Sequence, residues 1–144
     1  MTLTLRPGVI DQSFAQLRTC GDGRRECVVY WVGPIDDPGV VDEVAHPAHS
    51  AHAVGYEVDS GWITQLFLRL RRDRRTVRAQ VHTHPGRAGH SSTDDTFSLV
   101  PSTGFLSLVI PRFATGPIGM KSAYLAELNE AGAWIERDPT AVIA

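Results

Sequence analysis

Apolar and polar positions along this chain recur with two periods, and the switches between them outline the elements. Val9, Ile10, Phe14 and Leu17 fall at helical spacing behind Pro7, which suits a first turn, so residues 7–20 are expected to form a helix closed by Gly21-Asp22-Gly23. Residues 26–33 (Glu-Cys-Val-Val-Tyr-Trp-Val-Gly) are too apolar and too β-branched for a surface helix and read as a buried strand. A turn-rich loop at 34–39 leads to a second strand at 40–44, expected to return antiparallel. Asp59 or Ser60 can cap a second helix with Trp62, Ile63, Leu66, Phe67 and Leu70 on its apolar side. That helix runs out in an arginine-rich stretch, and a strand follows at 77–82. A short helix at 92–99, stopped before Pro101, and strands at 105–110, 121–128 and 133–137 complete the pattern. Without internal repeats or linker-like segments, the order predicts one α+β domain over residues 1–144, an α/β/α sandwich around one sheet.

Composition changes this picture little. A chain of 144 residues suits one domain with a sizeable core, and a net charge of -2 gives no global case for nucleic acid. No apolar run approaches the ~20 residues of a membrane helix, and the N-terminus lacks the basic start and apolar core of a secretory signal. Cys20 and Cys27 form neither a CxxC nor a paired framework. A disulfide scaffold or zinc ribbon is therefore not expected, and the expected location is a reducing cytoplasm.

The chemistry concentrates where the predicted strand at 77–82 ends. His82 and His84, one residue apart, point the same way on a strand. Asp95 follows eleven residues after His84. Two imidazoles and one carboxylate leave a fourth position open, the ligand set of a catalytic zinc site. Each half also has a plain structural reading: a strand end for the histidines, and a capped helix start for Ser92-Thr-Asp-Asp95. The two readings of the second half are compatible, because Ser92 can cap the helix that presents Asp95. Metal-assisted hydrolysis also needs a proton acceptor that does not ligate the ion. Glu26, at the mouth of the first buried strand, is the candidate, since neither Glu43 nor Glu57 opens a comparable strand.

Glu26, His82-x-His84-Pro85, the seven residues 85–91, and Ser92-x-x-Asp95 together resemble the JAMM signature of the JAB1/MPN/Mov34 metalloproteases, most of all the compact prokaryotic branch related to deubiquitinases. The resemblance covers nearly the whole chain. It implies a cytidine-deaminase-like fold, a mixed curved sheet flanked by helices. It implies a Zn²⁺-dependent isopeptidase or peptidase acting at the C-terminus of a ubiquitin-like modifier, beside activating and conjugating enzymes. His82, His84 and Asp95 would ligate zinc, Glu26 would carry the proton, and Ser92 would stabilise the oxyanion. Ser91 and Asp94 share the same internal spacing, but only Ser92 and Asp95 keep the family's distance from His84. The chain departs from the family where Val29 replaces a frequent glycine; Gly33 is kept. No Cys or His follows His90, so the structural zinc that some eukaryotic relatives carry after the motif is not expected, and one catalytic ion is.

Other features read more plainly. His46, His49 and His52 recur every third residue and are expected to lie in a polar loop, without a cysteine or acidic companion for a metal. His90 reads as a loop histidine. The six arginines of residues 69–78 suit a helix C-terminus and an exposed turn better than a phosphate backbone, since no aromatic residues interleave. The small residues at 114–119 could leave room for a Gly-Gly terminus. Competing readings are a peptidase for a sulfur-carrier precursor or small peptide, a non-catalytic scaffold, and nucleic-acid binding through the arginines.

Overall fold

The computed structural model describes residues 2–89 and 99–144. Strand β1 (Thr4–Leu5) precedes helix α1 (Val9–Gly21), and β2 (Val28–Pro34) follows. The expected strand at 40–44 divides in two. β3 (Val40–Val41) pairs in parallel with β1, whereas β4 (Glu43–Ala45) runs antiparallel to β2. A hairpin, β5 (His49–His52) and β6 (Gly55–Val58), precedes helix α2 (Ser60–Arg72). Then come β7 (Arg75–Thr83), β8 (Leu106–Ile110), a short 3-10 turn (Arg112–Ala114), β9 (Tyr124–Leu128), β10 (Trp134–Arg137) and a terminal helical turn, α3 (Pro139–Val142).

Six strands form a mixed sheet in the order β10-β9-β8-β7-β2-β4, parallel only between β7 and β8. β2 explains the layering. Cys27, Val29 and Trp31 pack into one core with Phe14 and Leu17 of α1, while Val28, Tyr30 and Val32 pack into a second with Leu66 and Leu70 of α2. Alternate residues thus serve opposite faces, and covering both faces makes the strand apolar throughout. The expected α/β/α sandwich is the fold observed.

Local chemistry fixes the elements. Asp59 caps α2, its Oδ1 accepting from the Trp62 amide at 2.8 Å. The buried Trp31 indole donates to Ser13 Oγ on α1 at 2.8 Å, and the Ser13 hydroxyl donates to the Val9 carbonyl. Gly33 permits a close backbone approach: a Cβ there would lie 1.9 Å from the Val40 carbonyl oxygen.

The arginine run is structural. Arg69 and Arg75 converge on Glu43, Arg75 also pairs with Asp42, Arg74 with Asp36 and Arg72 with Asp73. Arg78 instead donates to the carbonyls of Val40, Pro34 and Asp37. These contacts tie α2 and β7 to β4 and the loop behind it. Among the described residues, no helix is long and apolar enough to cross a membrane.

Two expectations need correction. Residues 49–52 are a strand of a hairpin, not a polar loop, because His49 to His52 pair with β6 residue by residue. The cysteines are not isolated: Cys20 and Cys27 are joined in a disulfide. The Gly21-Asp22-Gly23 turn folds the chain back from α1, where Asp22 and Gly23 take positive φ, so the seven-residue separation is short enough to bridge.

Candidate metal centre

β7 delivers both histidines. Its pairing places His82 opposite Val28 of β2, so Glu26, two residues earlier, reaches the same end of the sheet as His84. The Glu26 Oε1 atom lies 3.8 Å from His84 Nε2, and the two rings of His82 and His84 are 5.1 Å apart. His82 is fully buried and Glu26 is only 8% exposed, in a place where a carboxylate has little water to solvate it. Strand alternation aims His82 and His84 toward the α2 face. Tyr56 of β6 closes that face, its ring 5.9 Å from that of His82.

The sequence-predicted residues Glu26, His82 and His84 therefore meet. Ser92 and Asp95, with His90 and all but the last residue of the expected helix at 92–99, lie in residues 90–98, outside the described part of the chain. The donor set fits a divalent ion: two imidazoles from one strand face, with a carboxylate beside His84.

Three devices hold this end of the sheet in place. Thr83, between the histidines, faces the other way: its Oγ1 accepts from the Cys27 amide at 2.9 Å, and its own amide donates to the Cys27 carbonyl at 3.0 Å. The Glu26 amide donates to the His52 carbonyl at 2.7 Å, anchoring the carboxylate's backbone to the hairpin. Beyond β8, Arg112, Phe113 and Ala114 all have left-handed backbone, with φ of 55°, 53° and 60°. Such a conformation costs about 1–2 kcal/mol per L-residue. Here the turn donates from Phe113 to the His84 carbonyl at 2.9 Å and from Arg112 to the Gly86 carbonyl at 3.0 Å. Arg18 of α1 grips it, donating to the carbonyls of Ala114 and Gly116 at 2.6 Å each. Part of the small-residue stretch is thus fixed against α1. Thr83 and Arg18 carried no motif signal; only the pairing register reveals their role.

The chain is 33% identical to the probable metalloprotease y4jG of Sinorhizobium fredii, an alignment that spans 99% of this chain and 90% of that one. The chain belongs to the JAB1/MPN/Mov34 metalloprotease family. Solved structures share its fold at low identity. A JAB1/MPN domain protein from Archaeoglobus fulgidus aligns over 99% of this chain and 98% of its own, with a TM-score of 0.53 at 15% identity. A protein from Desulfitobacterium hafniense aligns over 99% of this chain and 92% of its own, with a TM-score of 0.70 at 17% identity. No protein-family model matches the chain. Within the JAB1/MPN frame, the bulky Val29 and Trp31 pack under α1, on the face opposite the histidines, and Gly33 keeps its place because Val40 crowds it.

On that opposite face lies a further group of donors. Cys20, Cys27, His46 and His49 bring one ligand atom each to within 4.8 Å of one another. The expectation that the histidines lack a cysteine companion is corrected: the sequence separates them, and the β2–β4 pairing brings them together. Partial burial, and secondarily the neighbouring His49, hold the His46 imidazole below its ordinary range, which favours the neutral ring.

Proposed function

We propose that this chain is a zinc-dependent isopeptidase or peptidase that hydrolyses the bond after the C-terminus of a ubiquitin-like modifier, in deconjugation or precursor maturation. The observation that carries the reading is the placement of the Glu26 carboxylate 3.8 Å from His84 Nε2, beside a ring pair 5.1 Å apart. His82, His84 and Asp95 would hold one Zn²⁺, which when bound supplies Lewis acidity and brings the pKa of water to about 7. Glu26 takes up the proton of the attacking water at its carboxylate and returns it to the departing amine. Ser92 donates a hydrogen bond to the oxyanion. β4, at an edge of the main sheet, offers an extended modifier tail a strand to add to. Activating and conjugating enzymes of the cytoplasm complete the proposal as working partners.

The test is incubation of zinc-loaded protein with candidate modifiers fused at their C-termini to a reporter, beside Glu26→Ala at equal zinc content. Cleavage by the parent and not by the variant supports the reading. Equal cleavage by both overturns the role of Glu26. Efficient cleavage of short peptides with no folded modifier attached replaces the modifier with a small peptide as substrate.

A further inference from the structure

The disulfide between Cys20 and Cys27 is lined by two imidazoles. His49 Nε2 lies 2.9 Å from Cys20 Sγ and 3.5 Å from Cys27 Sγ, and His46 Nε2 lies 3.5 Å from Cys27 Sγ. The tautomer of His49 is fixed by its other nitrogen. Nδ1 lies 2.7 Å from the Pro47 carbonyl oxygen, which can only accept, so Nδ1 carries the proton and Nε2 turns its lone pair to the sulfurs. A disulfide has no proton to give that lone pair. A thiol or a cation does satisfy it, and a backbone carbonyl behind the distal nitrogen is the usual support of a metal-ligating histidine.

We propose that, in the dithiol state, Cys20, Cys27, His46 and His49 form a second metal site, a four-coordinate Cys₂His₂ centre for Zn²⁺, and that the disulfide is its metal-free oxidised counterpart. The donor set is that of closed structural zinc sites. With Zn–N near 2.0 Å and Zn–S near 2.3 Å, a tetrahedral site places each nitrogen about 3.5 Å from each sulfur. Both imidazoles already stand at that distance from Cys27. Cys20, in the last turn of α1, swings away once its bond to Cys27 opens, since His49 Nε2 now stands only 2.9 Å from its sulfur. A dithiol reductant supplies two electrons and two protons, turning the disulfide into two thiols and itself into a disulfide. Zinc then binds two thiolates, and the two thiol protons leave to solvent.

This centre is distinct from the one at His82 and His84. It occupies the α1 face of the sheet and joins α1, the residue before β2, the segment ahead of β5 and the first residue of β5. An open hollow of about 330 Å³ beside Cys20 and His46, lined also by Gln12 and Gln16, gives an ion a path in. In a compartment that keeps thiols reduced, the metal form is the one that persists.

The test uses the full chain, reduced with a phosphine, stripped of metal and titrated with Co²⁺ and Zn²⁺. The parent is expected to bind two equivalents and to develop thiolate-to-cobalt charge-transfer absorption. His82→Ala/His84→Ala loses one equivalent and keeps that absorption; Cys20→Ser/Cys27→Ser loses one equivalent and the absorption with it. His46→Ala, at an exposed position that tolerates truncation, weakens cobalt binding at this site at least ten-fold. An absence of charge-transfer absorption in the reduced parent overturns the proposal, as does unchanged cobalt affinity in His46→Ala. Failure of the protease reading leaves both readouts untouched.

Discussion

Cys27 and Thr83 hold each other through two hydrogen bonds, amide to Oγ1 at 2.9 Å and amide to carbonyl at 3.0 Å. The first joins the residue after Glu26 to the residue between His82 and His84. The spacing of carboxylate and imidazoles is thereby set by a contact on the opposite face of the sheet. Thr83→Val keeps the shape and removes the acceptor, leaving the buried Cys27 amide without it. That change is expected to cost about 1–3 kcal/mol, seen as a lower urea midpoint, with Thr83→Ser close to the parent. Equal midpoints for Thr83→Val and the parent would show that the pairing does not need the hydroxyl.

Gly33 is needed because the backbone of β3 passes so close. A Cβ at this position would meet the Val40 carbonyl oxygen at 1.9 Å, a contact with backbone rather than with a side chain able to swing aside. Gly33→Ala is expected to separate β2 from the Val40 segment and to lose at least about 1–3 kcal/mol in thermal or denaturant melts. A variant as stable as the parent would mean that the segment yields freely.

The legible parts of the fold are those where one side-chain pattern decides. Residues 28–34 advertise a strand covered on both faces, and 60–72 carry a capped, one-sided helix. The histidine pair is legible because strand alternation fixes both rings once the strand is found. The hairpin of β5 and β6 is not: His49, Ser50, Ala51 and His52 have neither β-branching nor alternation, and their pairing comes from partners that the local sequence does not name. The Cys20–Cys27–His46–His49 group is hidden for the same reason. Its members come from α1, the approach to β2, the approach to β5 and the first residue of β5, and only tertiary pairing brings them within 4.8 Å.

In the proposed mechanism Glu26 moves a proton and does not hold the ion. Glu26→Gln keeps the volume and the backbone bond from Glu26 to His52, and it removes the proton acceptor. The expectation is a loss of about 10²–10⁴ in kcat, with bound zinc unchanged by elemental analysis. Chelation of the metal should abolish activity in the parent and restoration of Zn²⁺ should return it. If Glu26→Gln loses zinc in proportion to activity, the carboxylate is a ligand.

Arg18 acts at a distance through the left-handed turn. Three successive residues with φ between 53° and 60° would relax toward ordinary backbone if nothing held them, and Arg18 holds the Ala114 carbonyl at the end of the turn and the Gly116 carbonyl just beyond it, at 2.6 Å each. The turn in turn donates to the carbonyls of His84 and Gly86. Arg18→Met keeps an apolar stem of similar length and deletes both donors, together with the guanidinium that sits 5.5 Å from the Phe14 ring centroid. Charge-assisted bonds to carbonyls contribute about 1.5–3 kcal/mol each when buried, less here because the contacts are only partly buried. The expected result is a modest fall in global stability and faster amide exchange confined to Phe113 and to the Arg112 and Thr115 amides. Lysine at the same position restores the charge and donors on a single nitrogen but not the fork that reaches both carbonyls, so exchange in Arg18→Lys should fall between parent and Arg18→Met. Exchange rates at Phe113 equal to the parent's in both variants would show that the turn is held by its own bonds to His84 and Gly86.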